Sequence, residues 1–302
     1  MRDNDRFFSR RRALLMIAMI APFAGMSRHA FAASAASTAA AQDALEKLER
    51  SANGRLGIVA FDTGNGKSVE YRPGERFPFC STFKTIAAAA ILKRSEEQRE
   101  LLGKRIGYTK QDTDASGYAP ITGKLVGKGM TVSELCAATL QYSDNAAVNL
   151  LMKELGGTAA VTAFARTVGD ETFRLDRWEP ELNSAVPGDL RDTTTPAAMV
   201  QTLQKLMLGN ALGSLQREQL VFWMKKNRTG DARIRAGVPT DWIVADKTGT
   251  GSYGTTNDIG VLWPPGRAPI VVVLYFTQHE QAAKPRDDVI ADATRTIVRF
   301  LA

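Results

Sequence analysis

Strand-like segments occur only towards the two ends of this chain, and the long stretch between them reads as helix. Arg55 to Asp62 and Ser68 to Tyr71 have strand composition and are separated by Thr63-Gly64-Asn65-Gly66, a turn-forming run, so they predict a hairpin. Segments of that kind return only at Trp242 to Ala245, Asp258 to Trp263 and Ile270 to Phe276. An isolated hairpin is marginal in water, so the economical solution is one sheet assembled from both ends of the chain. Its insertion is helical. A long Ala- and Ile-rich helix starts at Ser81, Thr131-Val132-Ser133-Glu134 is a capping box, and residues 146–155, 158–168, 196–208 and 214–226 continue the pattern. Ala39 to Arg50, with Leu45 and Leu48, and Asp288 to Leu301 add a helix before the first strand and after the last. The fold class expected is α+β.

The first residues read differently. Arg10, Arg11 and Arg12 precede an apolar run from Ala13 to Met26 and small residues at Ala30-Phe31-Ala32, the pattern of a signal peptide cleaved after Ala32. The run is shorter than the roughly 20 residues a bilayer span needs, so no stable membrane anchor is expected. Ser9-Arg10-Arg11 before Leu14-Leu15 also fits a twin-arginine signal, beside the plainer reading of an ordinary secretory segment. Six basic and two acidic residues leave with it, and the formal charge falls from +7 to +3. No clustered basic stripe remains, which argues against a nucleic-acid partner.

Ser81-Thr82-Phe83-Lys84 carries the chemistry. A serine hydroxyl must lose its proton as it attacks a carbonyl, and a lysine three residues later on a helix sets an amine beside it. The chain has only two histidines, and His29 lies in the signal segment. A Ser-His-Asp triad or a multi-histidine zinc site therefore finds little support.

Ser143-Asp144-Asn145 and Lys247-Thr248-Gly249 follow in that order, with Arg177-Trp178-Glu179-Pro180-Glu181-Leu182-Asn183 between them. On these motifs the chain resembles the class A serine β-lactamases over nearly all of its length after the signal segment. The resemblance implies a five-stranded antiparallel sheet with flanking helices, an inserted all-α domain and an active site between them. The α/β domain would comprise residues 33–73 and 228–302, and the all-α domain residues 74–227. It further implies a periplasmic monomer that hydrolyses the β-lactam amide of penicillins and cephalosporins through a serine ester, with a small-molecule β-lactam as its partner and with neither a metal nor an organic cofactor.

By the same resemblance Ser81 is the acylated nucleophile, and Lys84 relays its proton or stabilises charge; whether Lys84 or Glu179 is the acylation base stays open. Ser143 would pass a proton to the departing nitrogen, and Asn145 would bond the substrate's side-chain amide. Asp144 reads as structural, an acid accepting backbone N–H groups. Glu179, with Asn183, would direct water at the ester, and Arg177 with Asp192 would brace that loop. Lys247 and Thr248 would hold the substrate carboxylate, while the N–H groups of Thr250 and Ser81 would form an oxyanion hole. Many family members carry an arginine where this chain has Thr256, so the guanidinium role passes to Arg233, after Thr229-Gly230-Asp231. Tyr118 would wall the cleft mouth. Each of the two cysteines lacks its family partner, since Ala88 and Gly251 stand at those positions, so Cys80 and Cys136 are expected to be free.

Two other readings share these motifs. A cell-wall D-alanyl-D-alanine peptidase has no use for Glu179 with Asn183. A penicillin-sensing module that stays acylated would need a membrane segment or a signalling domain, and the sequence offers neither.

Overall fold

The computed structural model describes residues 39–301, so the signal segment lies outside the described residues. Strands β1 (Gly54–Asp62) and β2 (Ser68–Tyr71) form the expected hairpin. Two short ladders follow outside it, β3 (Phe77–Pro78) with β6 (Thr193–Thr194) and β4 (Arg105–Ile106) with β5 (Met130–Thr131). The carboxyl-terminal strands are β7 (Ile243–Thr250), β8 (Thr256–Trp263) and β9 (Ile270–Gln278). Both ends of the chain meet in one antiparallel sheet of five strands, in the order β2-β1-β9-β8-β7.

Period-two alternation gives this sheet two apolar faces. Val271, Val273 and Tyr275 of β9 join Val59, Ile259 and Val261 on the face shared with the helical middle. Ile270, Val272, Leu274 and Phe276 join Leu56 and Ile58 on the other, covered by α1 (39–52) through Leu45 and by α10 (Asp287–Leu301) through Val289, Ile290, Ala293 and Ile297. The α10 positions recur at helical spacing, which is why one stripe of that helix is apolar and the opposite side charged.

Between the strand groups run α2 (Lys84–Glu97), α3 (Lys110–Ala115), α4 (Val132–Gln141), α5 (Asn145–Leu155), α6 (Thr158–Thr167), α7 (Pro196–Met207), α8 (Ser214–Lys225) and the single turn α9 (Ile234–Gly237). Every residue of α2 from Lys84 to Leu92 is buried. Its four consecutive alanines allow neighbouring helices to approach from all sides, and a helix buried all round needs no polar face. Thr131 caps α4 through the reciprocal bonds with Glu134 that the sequence predicts.

One boundary differs from expectation at the point that matters. Ser81 does not begin the helix: it sits in a 3₁₀ turn, Cys80–Phe83, and the α-helix begins at Lys84. Cys80 has φ +46°, and the Asn257 amide donates to the carbonyls of Pro78 (2.8 Å) and Phe79 (3.1 Å), so tertiary bonds set the chain's path into the turn. Strand β7 runs past Ala245 to Thr250, because Lys247, Thr248 and Gly249 pair with Ile259, Asp258 and Asn257 of β8. The strand expected to carry Lys247, Thr248 and Thr250 is thus present. Among the described residues no helix is long and apolar enough to cross a membrane.

Candidate active site

The turn before α2, the start of α5, the loop 177–192 and the end of β7 converge on a cavity of about 300 Å³ lined by Ser81, Tyr118, Ser143, Asn145, Asn183, Thr229, Arg233, Thr248 and Thr250. Lys84, Glu179 and Lys247 lie just beneath it. All the sequence-predicted site residues therefore meet in one place.

Glu179 joins the helical side together. The Ser81 hydroxyl donates to Glu179 Oε1 (3.2 Å), and Lys84 Nζ lies 3.0 Å from the same oxygen, both charged side chains having no exposed surface. Asn183 donates its amide N–H to Glu179 Oε2. Lys84 also donates to the Ser143 carbonyl (2.8 Å), the Ser143 hydroxyl (3.3 Å) and Asn145 Oδ1 (2.6 Å). The serine-lysine pair is thus bridged by the carboxylate: among the described bonds, Lys84 reaches Ser143, Asn145 and Glu179, and Ser81 reaches Glu179. Burial lowers the affinity of Lys84 for its proton, while the Glu179 carboxylate acts in the opposite sense.

The Ser143 turn is built to hold this geometry. Ser143 itself has φ +57°, and buried Asp144 accepts from the backbone N–H groups of Ile121 (3.0 Å), Thr122 (2.9 Å) and Ala147 (2.9 Å) and from the Thr122 hydroxyl. Asp144 caps α5 as well as anchoring the loop that carries Tyr118, which is the structural role its position suggested. Tyr118 is half exposed at the mouth, and its carbonyl accepts from Asn145 N (2.8 Å).

On the strand side, Lys247 Nζ donates to the Ser143 hydroxyl (3.0 Å) and the Thr248 carbonyl (2.8 Å). Its burial, and then the like charge of Lys84, hold its ammonium well below the ordinary lysine range. Gly249 lets β7 lie against the nucleophile's turn: a Cβ there would meet Phe79 O at 2.7 Å and Ser81 N at 3.2 Å. This contact brings the strand end bearing Thr250 alongside the Ser81 N–H.

A family model described as a β-lactamase enzyme family matches residues 40–301. The chain is 56% identical over 253 residues to the β-lactamase CTX-M-8 of Citrobacter amalonaticus, covering 84% of this chain and 86% of that one. It is 53% identical over 289 residues to Toho-1 of Escherichia coli, covering 95% and 97%. Among solved structures it superposes on the Streptomyces albus G β-lactamase with TM-score 0.85 at 49% identity, covering 87% of this chain and 99% of that one. The Desulfarculus baarsii enzyme gives TM-score 0.86 at 50% identity, covering 88% and 98%.

The chain belongs to the class A serine β-lactamases.

Two features of this β-lactamase bear on its departure from the family pattern. Thr256 is buried and its hydroxyl is already engaged, donating to Gly254 O (2.8 Å) and accepting from Arg286 N (2.9 Å). Most of the Arg233 guanidinium is engaged too: Nε donates to Asp287 (2.7 Å), Nη1 to the carbonyls of Gly249 (2.9 Å) and Asn257 (2.8 Å), and Nη2 to Thr250 Oγ1 (2.8 Å). A guanidinium has five N–H donors, so these bonds leave one Nη2 N–H for the cleft. Arg233 is thereby a brace for the ends of β7 and β8 as much as a charge for a ligand.

Sequence reasoning missed three supporting residues. Asn149 clamps the backbone of Glu179, donating to its carbonyl (2.9 Å) and accepting from its N–H (3.2 Å). Its place four residues after Asn145 on one helix was the available signal. Asn257, next to Thr256, holds the nucleophile's turn through the carbonyls of Pro78 and Phe79. Thr229 stands against Thr248, with hydroxyl oxygens 2.5 Å apart, and nothing local in the sequence marks it. The loop brace was legible: Asp192 accepts from Arg177 Nε (2.5 Å), with its second oxygen on the N–H groups of Asp176 (2.7 Å) and Arg177 (3.0 Å). Cys80 and Cys136 are both buried and free, and burial pushes both thiols up out of their ordinary range.

Proposed function

We propose a division of labour for the reaction this enzyme performs, hydrolysis of the β-lactam amide bond of penicillins and cephalosporins, which underlies β-lactam antibiotic resistance. Ser81 Oγ attacks the lactam carbonyl, and its proton passes to the Glu179 and Lys84 pair that it faces. The developing oxyanion is received by the N–H groups of Ser81 and Thr250. Ser143, whose hydroxyl lies between the two lysine ammonium groups, delivers a proton to the departing nitrogen, leaving a serine ester. Glu179 and Asn183 then direct a water at that ester, and Glu179 takes the water's proton as the ester opens. Asn145 bonds the substrate's side-chain amide, Tyr118 walls the mouth, and Lys247, Thr248 and the remaining N–H of Arg233 receive the carboxylate.

The observation that carries this reading is the single carboxylate oxygen of Glu179 within reach of both Ser81 Oγ and Lys84 Nζ, in a place with no exposed side-chain surface. Glu179→Ala tests it. The variant should still acylate at least in part, so intact-protein mass spectrometry after mixing with a penicillin should show a persistent adduct while turnover is nearly lost. Unmodified protein turning over at the native rate would overturn the assignment of the base.

The same proposal extends to the enzyme's setting. Arg10 to Arg12, the apolar run and Ala30-Phe31-Ala32 support export to the periplasm, with the twin-arginine route as its finer form. We take the enzyme to act as a monomer, and its lobes to divide as residues 33–73 with 228–302 and residues 74–227.

A further inference from the structure

Behind Thr248 lies a short chain of polar groups whose donors and acceptors can be assigned without ambiguity. The backbone N–H of Thr229 points at Asn227 Oδ1 (3.0 Å) in an Asx turn. A backbone N–H can only donate, so that atom of Asn227 is the oxygen, and the amide nitrogen faces buried Asp246 Oδ2 (2.5 Å). Gly230 makes this approach possible, since a Cβ there would collide with the Asp246 carboxylate. Asp246 is held in turn by Arg235 (2.5 Å). The next step follows from the first. The Thr229 hydroxyl lies 2.8 Å from Asn227 Oδ1, which cannot donate, so Thr229 must be the donor. With its one hydrogen used there, Thr229 can only accept at the contact with Thr248 Oγ1. In the free enzyme, therefore, the Thr248 hydrogen is committed to Thr229 and is not available to a carboxylate in the cleft.

An anion cannot bind to lone pairs. We propose that Thr229 is a positioning residue for the substrate carboxylate: as the carboxylate arrives, two hydroxyls rotate together, so that Thr229 donates to Thr248 and Thr248 donates to the carboxylate. The reversal gives up the bond from the Thr229 hydroxyl to Asn227 Oδ1, which keeps the Thr229 N–H. The inference rests on the reading above that Thr248 receives the carboxylate, and it adds the residue that holds the Thr248 hydrogen until the carboxylate draws it away.

The test combines a direct readout with kinetics. Neutron diffraction from deuterium-exchanged crystals of the free enzyme should place the Thr248 deuteron toward Thr229 and the Thr229 deuteron toward Asn227; a Thr248 deuteron already in the cleft would overturn the proposal. Thr229→Ala leaves the Thr248 hydrogen uncommitted in the free enzyme, so KM for a penicillin should fall by about 3- to 10-fold, the range for one hydrogen bond no longer given up on binding, with kcat little changed. The methyl ester of the same penicillin should show no such fall, and Thr229→Ser, which keeps the hydroxyl, should restore the native KM. Equal effects of Thr229→Ala on acid and ester would reduce Thr229 to packing and sink the relay. Thr248→Ala separates the two levels: if it fails to discriminate acid from ester, the carboxylate reading falls and the relay with it; if it discriminates and Thr229→Ala does not, only the relay falls.

Discussion

The two walls of the cleft are held together by different means. On the helical wall, charged and polar side chains from three separate stretches bond to one another: Lys84 to Ser143, Asn145 and Glu179, and Glu179 to Ser81 and Asn183. On the strand wall half of the bonds from Arg233 and Lys247 end on backbone carbonyls, those of Gly249, Asn257 and Thr248. A side-chain cluster can rearrange its protons as a reaction proceeds, because every member is both a partner and a titratable or rotating group. A carbonyl cannot. The contrast teaches that proton movement belongs to the helical wall and fixed positive potential to the strand wall, where the paired hydroxyls of Thr229 and Thr248 are the exception.

The sharpest way to break this comparison is at Asp144, which holds the helical wall to the loop of Tyr118. Asp144→Ala leaves two buried N–H groups, the half-buried N–H of Ile121 and the Thr122 hydroxyl without their acceptor, each buried group costing about 1–3 kcal/mol, so a loss of about 4 kcal/mol or more is expected. For a domain of this size that is a fall in Tm of about 10 °C, measurable by calorimetry. A loss under about 1 kcal/mol would mean that the wall is held by packing alone.

On the other wall, Arg233→Ala should act on both stability and binding, because the same fork braces two strand ends and faces the ligand. KM for a penicillin should rise about 10-fold, and about 2 kcal/mol of stability should go with the bonds to Gly249 and Asn257. Arg233→Lys should recover neither in full, since an ammonium cannot serve carbonyls on two strands at once. A variant with raised KM and unchanged denaturant midpoint would show that the brace contributes nothing.

The smallest effect expected is a pH dependence that distinguishes the walls. Burial and Lys84 depress the proton affinity of Lys247, so its positive charge is present at low pH and is lost as pH rises, before an ordinary lysine would titrate. KM for a carboxylate-bearing substrate should therefore climb on the alkaline side while that for its ester stays flat. Parallel pH profiles for acid and ester would assign the limb to the helical wall instead.

Much of this enzyme was readable in one dimension because its information is local. Turn residues placed the first hairpin, Thr131 and Glu134 marked the start of α4, and strand-like apolar runs marked β8 and β9. The motifs at Ser81, Ser143, Glu179 and Lys247 named the reactive groups. The missed parts are those where a polar side chain answers to a distant backbone: Asn257 drawing the nucleophile into a 3₁₀ turn and Asn149 clamping Glu179. Neither composition nor periodicity reports such bonds, since the same asparagine reads as a loop residue anywhere in a chain.

By itself, then, the sequence determined which residues could react and which segments would be strand or helix, because spacing along the backbone sets faces and caps through short-range geometry. Tertiary structure alone decided how those residues are wired. Ser81 meets Glu179 across 98 positions and Lys247 meets Ser143 across 104. At such separations a pairing depends on how helices and sheet pack. That packing gave Ser81 a carboxylate as its immediate partner in place of the lysine three residues away, spent most of the Arg233 fork on the protein's own atoms, and set the Thr248 hydroxyl against that of Thr229.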